Sequence, residues 1–134
     1  MFSAKSPEEQ AQELRIRTAL GLNKGPLPNV EVEWLRKYYE YLAANLSLPF
    51  DARYAEEGDY YRKPAYHQVK VLALLDPDKN PGREYNGLIC RTHATDREIE
   101  VPLVDLEIEA DNPNFQIIED YWYWIWNWRF DPRI

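Results

Sequence analysis

The sequence predicts an α+β fold, a small antiparallel β-sheet or SH3-like partial barrel packed by flanking helices. Three observations carry that expectation. The middle of the 134-residue chain holds short stretches in which apolar and polar residues alternate, joined by segments rich in Asp, Asn, Pro and Gly, the pattern of strands and tight turns. The segments on either side read with a helical period. Residues 117–130 hold every tryptophan except Trp34. Each large aromatic taken out of water contributes roughly 1.5–3 kcal/mol, so the rest of the chain must supply a surface that covers them.

Taken in order, Ser6-Pro7-Glu8-Glu9 is a helix start: serine caps, proline fits the first turn and Glu9 closes a capping box. This helix is expected to run to about Leu20 and stop at Gly21. Its apolar content is thin, chiefly Ala11, Leu14 and Thr18, which predicts a helix held weakly or docked elsewhere. Lys24-Gly25-Pro26-Leu27-Pro28 breaks any helix, so residues 1–29 read as an N-terminal helical arm and linker and 30–134 as the α+β domain. A second helix over about 30–46 gathers Trp34, Leu35, Tyr38, Tyr41 and Leu42 on one face, with Arg36 and the glutamates largely elsewhere. Leu48-Pro49-Phe50 ends it, and Phe50, Ala52 and Tyr54 then alternate with Asp51 and Arg53 as a half-buried strand does.

An acidic loop, Glu56-Glu57-Gly58-Asp59, follows. Residues 69–75 form a strand rich in branched side chains, and 76–82, Asp-Pro-Asp-Lys-Asn-Pro-Gly, form a turn. Strands are expected over 88–92 and 98–103, joined through Ala94-Thr95-Asp96. The last segment fits both periods. As a strand, Trp122, Trp124, Trp126 and Trp128 all point one way. As a helix, Gln116, Glu119, Asp120, Tyr123 and Asn127 share a wet arc, while Ile118, Tyr121, Trp122, Ile125 and Trp128 gather opposite. The helix is preferred because it alone sorts Glu119 and Asp120 onto water together, and Asn112-Pro113 supplies a cap and a first-turn proline.

The net charge is −7 and no long Lys/Arg run appears, which argues against nucleic-acid binding. No apolar run approaches the ~20 residues of a membrane span, and Met1-Phe2-Ser3-Ala4-Lys5 leads into a charged segment and not a secretion signal. One cysteine forms no internal disulfide, which is compatible with a reducing cytosol. The expectation is a soluble, cytoplasmic, acidic protein. Catalysis is disfavoured. Cys90 and His93 on one strand point to opposite faces, and Cys90, His67 and His93 lack the paired spacing of a zinc site.

The oxygen-bearing side chains say more. Asp76, Asp78 and Asn80 alternate through a Pro/Gly turn and Glu84 follows, so several hard oxygens are able to converge on a cation such as calcium. The loop is not an EF-hand: Pro81 stands where the glycine belongs and Gly87 where the bidentate glutamate belongs. Lys79 and Arg83 dilute its charge, and the same residues equally make an ordinary solvated turn. Glu56, Glu57 and Asp59 form a possible second cluster under the same two readings.

Trp34 with Tyr38-Tyr39, Leu48-Pro49-Phe50 with Ala52, Val69-x-Val71-Leu72, Val101-Pro102-Leu103 with Leu106-Glu107, and Ile118-Glu119-Asp120-Tyr121 with Tyr123-Trp124 together resemble the cyanobacterial CcbP-like calcium-binding protein family, in order over about residues 30–128. The resemblance implies a compact α+β body, calcium as ligand, a buffering or sensing role and no catalytic one. It also leads one to expect a denser acidic run between the two central strands than 76–84 supplies. The metal ligands expected here are Asp76, Asp78, Asn80 and Glu84, then Glu56, Glu57 and Asp59. The alternative is a protein-interaction module that keeps the scaffold and binds no metal. Its partner surface would be the C-terminal aromatic segment, where Trp126, Trp128 and Phe130 have few neighbours to cover them.

Overall fold

The computed structural model describes residues 5–56, 63, 65–80 and 86–129, with the backbone alone at Glu56. Helix α1 spans Pro7–Leu20 and α2 spans Val32–Asn45; β1 (Phe50–Glu56), β2 (Ala65–Leu74), β3 (Ile89–Ala94) and β4 (Arg97–Pro102) follow; a 3₁₀ turn (Leu103–Asp105) leads into the two-residue β5 (Leu106–Glu107), and α3 (Phe115–Trp128) is the last element among the described residues. The strands form one antiparallel sheet in the order β4-β3-β2-β1-β5. The first four form a meander and β5 crosses to the far side of β1, so the sheet is open, with β4 and β5 as its edges.

Local chemistry explains the boundaries. Ser6 Oγ accepts the Glu9 N–H at 3.1 Å and Gly21 ends α1 at φ 73°, the serine cap and left-handed stop that the sequence carries. In β1, Phe50 and Ala52 are buried and Asp51 and Arg53 exposed; Val101 in β4 and Leu103 in the turn after it are buried. Helix α3 starts at Phe115, two residues beyond the expected proline start. Asn112 Oδ1 instead accepts the Asn114 N–H at 2.9 Å, closing a turn ahead of the helix. The buried Asn114 side chain accepts the Ser47 N–H at 2.8 Å and donates to the Ser47 carbonyl at 3.0 Å, tying this turn to the α2–β1 connection.

The aromatic core lies where α2 meets α3. Tyr38 stacks on Trp124 and meets Tyr121 edge-on, both with ring centroids 5.2 Å apart. Trp124 Nε1 donates to the Pro28 carbonyl at 2.9 Å and Trp122 Nε1 to the Leu103 carbonyl at 3.1 Å, so both indole N–H groups have an acceptor.

Two expectations are corrected. Helix α1 is not loosely held: Ile16 and Leu20 are buried in the core, while Leu14, expected on its apolar face, is 59% exposed. Asp120, expected on water, is 4% exposed because α1 lies over that side of α3. Arg15 grips both Asp120 oxygens, Nε to Oδ2 at 2.8 Å and Nη2 to Oδ1 at 3.1 Å, and Gln12 adds a bond at 3.1 Å. Glu13 is buried in the same contact, receiving Lys5 Nζ at 2.6 Å and the Tyr123 hydroxyl at 2.8 Å. A helix with little apolar surface thus docks through paired charges around Ile16 and Leu20, which hydrophobic periodicity does not register.

Candidate metal centre

The connection between β2 and β3 leaves the sheet at Leu74 and is pinned at both ends. The Leu75 N–H donates to the Ile89 carbonyl at 2.8 Å, and the Leu88 N–H to the buried Tyr121 hydroxyl at 2.8 Å. Gly87 fits between them at φ 73°, where a Cβ would stand 2.6 Å from the Tyr121 oxygen. Within the loop, Asp76 organises the turn. Its Oδ1 accepts the Asp78 N–H at 2.9 Å, and its carbonyl accepts the Lys79 N–H at 3.1 Å and the Asn80 Nδ2 at 2.9 Å. These are the usual local bonds of an Asx turn, and they bring Asp76 and Asn80 together. Asp78 is engaged by α2: Arg36 Nε lies 2.8 and 2.9 Å from its two oxygens.

Three more residues of α2 and the loop complete the contact. Leu35 of α2 lines an apolar cleft with Pro77 and Asn80. Tyr39 is close enough to Asp76 that its hydroxyl is pushed up, by burial first and by the Asp76 charge second. Glu84, Glu57 and Asp59 lie outside the described residues. Glu56 is the last residue of β1, paired with Ala65. It therefore stands at the opposite end of β2 from the 76–80 turn, about 30 Å away at strand rise, so Glu56 and that turn belong to opposite ends of the sheet.

Among the described residues no group of three or more His, Cys, Asp or Glu is arranged to hold a metal. Cys90 is buried, which pushes its thiol up to about 12, so it carries no thiolate at neutral pH. His93 is exposed and His67 stacks on Tyr54, centroids 5.4 Å apart.

A second acidic surface escaped sequence reasoning. Asp51, Glu107 and Glu109 line a cavity of about 410 Å³ with Arg53, Gln68 and Trp122. Its acids are interleaved with bases, Arg53 on Glu107 at 2.8 Å and Lys70 on Asp51 at 3.4 Å. The only signal in the sequence was the wet face of β1, since β5 is too short to show a period.

Residues 29–125 match the Calci_bind_CcbP family, described as calcium binding. The chain belongs to this calcium-binding family. The fold agrees with that membership. The chain superposes on the crystal structure of Anabaena CcbP with TM-score 0.68 at 22% identity, spanning 97% of this chain and 100% of that one. A calcium binding protein in its calcium-binding form gives TM-score 0.68 at 19% identity, over 96% and 100%. At such identities the likeness is one of fold. No curated protein matches the chain.

The donors in the β2–β3 loop are of the kind this family's ligand takes. Calcium binds 6–8 oxygens in flexible geometry, and Asp76, Asp78 and Asn80 offer only oxygen ligands from a turn. Asp76 Oδ2 and Asn80 Oδ1 have no hydrogen-bond partner among the described residues, whereas both oxygens of Asp78 already face a cation. No helix among the described residues is long and apolar enough to cross a membrane.

Proposed function

We propose that this protein is a non-catalytic, cytoplasmic calcium binder, acting as buffer or sensor, whose ion sits on the β2–β3 loop. Asp76, Asp78, Asn80 and Glu84 are the first ligands, with backbone carbonyls and water filling the shell; Glu56, Glu57 and Asp59 form a second, separate cluster. The observation that carries this reading is membership of a calcium-binding family over residues 29–125, a stretch that contains the whole loop. An oxygen-only donor set on a pinned turn supports it, as does a net charge of −7, which raises the local cation concentration. Affinity is micromolar or weaker, because regulated sites sit at ~10⁻⁷–10⁻⁵ M and this loop holds fewer carboxylates than the best of them.

Amide NMR during a calcium titration tests it. The expected result is saturable shifts concentrated at residues 76–88. Shifts spread evenly over the surface, or confined to the Glu56 end of the sheet, would remove the loop from consideration.

A second reading rests on a different observation. Trp126 is 65% exposed, with the Arg129 guanidinium 5.8 Å from its ring centre, and a bare tryptophan beside a cation is a common feature of partner-binding surfaces. On this reading the end of α3 recruits another protein. If Trp126→Ala leaves every protein contact of the chain in its host unchanged, that reading is lost.

A further inference from the structure

Arg36 is a cation already in the site. It reaches from α2 across to the loop and places Nε 2.8 and 2.9 Å from the two oxygens of Asp78, one of the carboxylates assigned to the ion. Its neighbours on the same helix also face the loop: Leu35 shares the cleft with Pro77 and Asn80, and Tyr39 lies in the field of Asp76. One turn of α2 therefore backs the 76–80 segment, and the Arg36–Asp78 ion pair that clasps it uses an expected ligand.

A guanidinium and a calcium ion both need carboxylate lone pairs, and one carboxylate whose two oxygens face a guanidinium offers little to a second cation. We propose that Arg36 is the built-in counter-cation of the loop: it holds Asp78 in the metal-free protein, calcium displaces it, and loading releases the clasp between α2 and the β2–β3 loop. This rests on the reading that the loop binds calcium and assigns α2 as the element that senses it. Because Arg36 and Asp78 are 44% and 51% exposed at their side chains, the competition is modest, which suits a site that loads and empties readily.

The test uses the full chain, calcium chloride and four variants. Arg36→Gln should tighten calcium by about two- to fivefold, the range that an exposed ion pair commands. Lys24→Gln, which removes the same charge from the α1–α2 linker, should change affinity less. Asp78→Asn and Asp76→Asn should weaken it. In metal-free protein, Asp78→Asn should move the Arg36 Nε–Hε resonance, and calcium should move the same resonance the same way in the wild type.

If Asp78→Asn weakens calcium while Arg36→Gln behaves like Lys24→Gln and the Arg36 resonance stays still on loading, the competition is refuted and the loop site stands. If neither Asp76→Asn nor Asp78→Asn changes calcium affinity, the loop site itself fails and the competition fails with it.

Discussion

Gly87 takes φ 73°, and a Cβ there would press within 2.6 Å of the Tyr121 hydroxyl, the group that accepts the buried Leu88 N–H. Two costs follow from Gly87→Ala, a left-handed backbone worth roughly 1–2 kcal/mol to an L-residue and the contact with that oxygen. Tyr121→Phe removes the contact but leaves a buried N–H without its acceptor, a loss of about 1–3 kcal/mol. Urea denaturation should therefore show Gly87→Ala costing less in the Tyr121→Phe background than in the wild type. Additive effects would mean that the loop is not seated on that hydroxyl.

Glu13 gives a second test at this scale. Burial alone raises its pKa, but hydrogen bonds from Lys5 and Tyr123 and the charges of Lys5 and Arg17 outweigh burial and hold it below the ordinary glutamate value of 4.5. A carboxylate depressed on folding contributes stability that is fully present above its unfolded value and is lost as pH falls through the folded one. Glu13→Gln should thus flatten the loss of stability with acid below about pH 4.5; an unchanged acid limb would show that the pair does not act in solution.

Among the elements, α1 is the most exposed to experiment because the family match begins at residue 29, beyond this helix, while its side chains fill the core. Ile16→Ala should cost about 2–5 kcal/mol, the usual loss for a fully buried aliphatic, and should lower the midpoint of thermal unfolding. A change below about 0.5 kcal/mol, typical of surface positions, would return α1 to the status of a loose arm.

The elements also show where sequence reading works. The β1 alternation of Phe50 and Ala52 with Asp51 and Arg53, and the Leu35, Tyr38, Leu42 stripe of α2, were legible because one face of each is apolar and the other is not. Helix α1 carries no such stripe, and what docks it are Arg15, Gln12 and Glu13 meeting Asp120 and Tyr123 on a helix more than a hundred residues away in sequence. Partners that distant leave no periodic trace. The same reason hid Asp120's burial and the use of Asp78 by Arg36: the loop's oxygens were visible as donors, their internal cation was not. Strand β5, at two residues, is below the length at which alternation carries information.

At the scale of the whole molecule, the open sheet holds the β2–β3 loop at one end, α2 backs it, and α3 ties its exit to the aromatic core through Tyr121. A net charge of −7 surrounds this arrangement, so calcium affinity should fall as ionic strength rises from about 0.01 to 0.15 M, where the Debye length shrinks from about 30 to 8 Å. Calorimetric titration of calcium chloride into the metal-free chain at low salt, run beside the double variant Asp76→Asn with Asp78→Asn, probes the loop site directly. The expected result is a saturable heat with micromolar or weaker affinity in the wild type and its loss in the variant. No heat in the wild type, or the same heat in both, would contradict calcium binding at this loop.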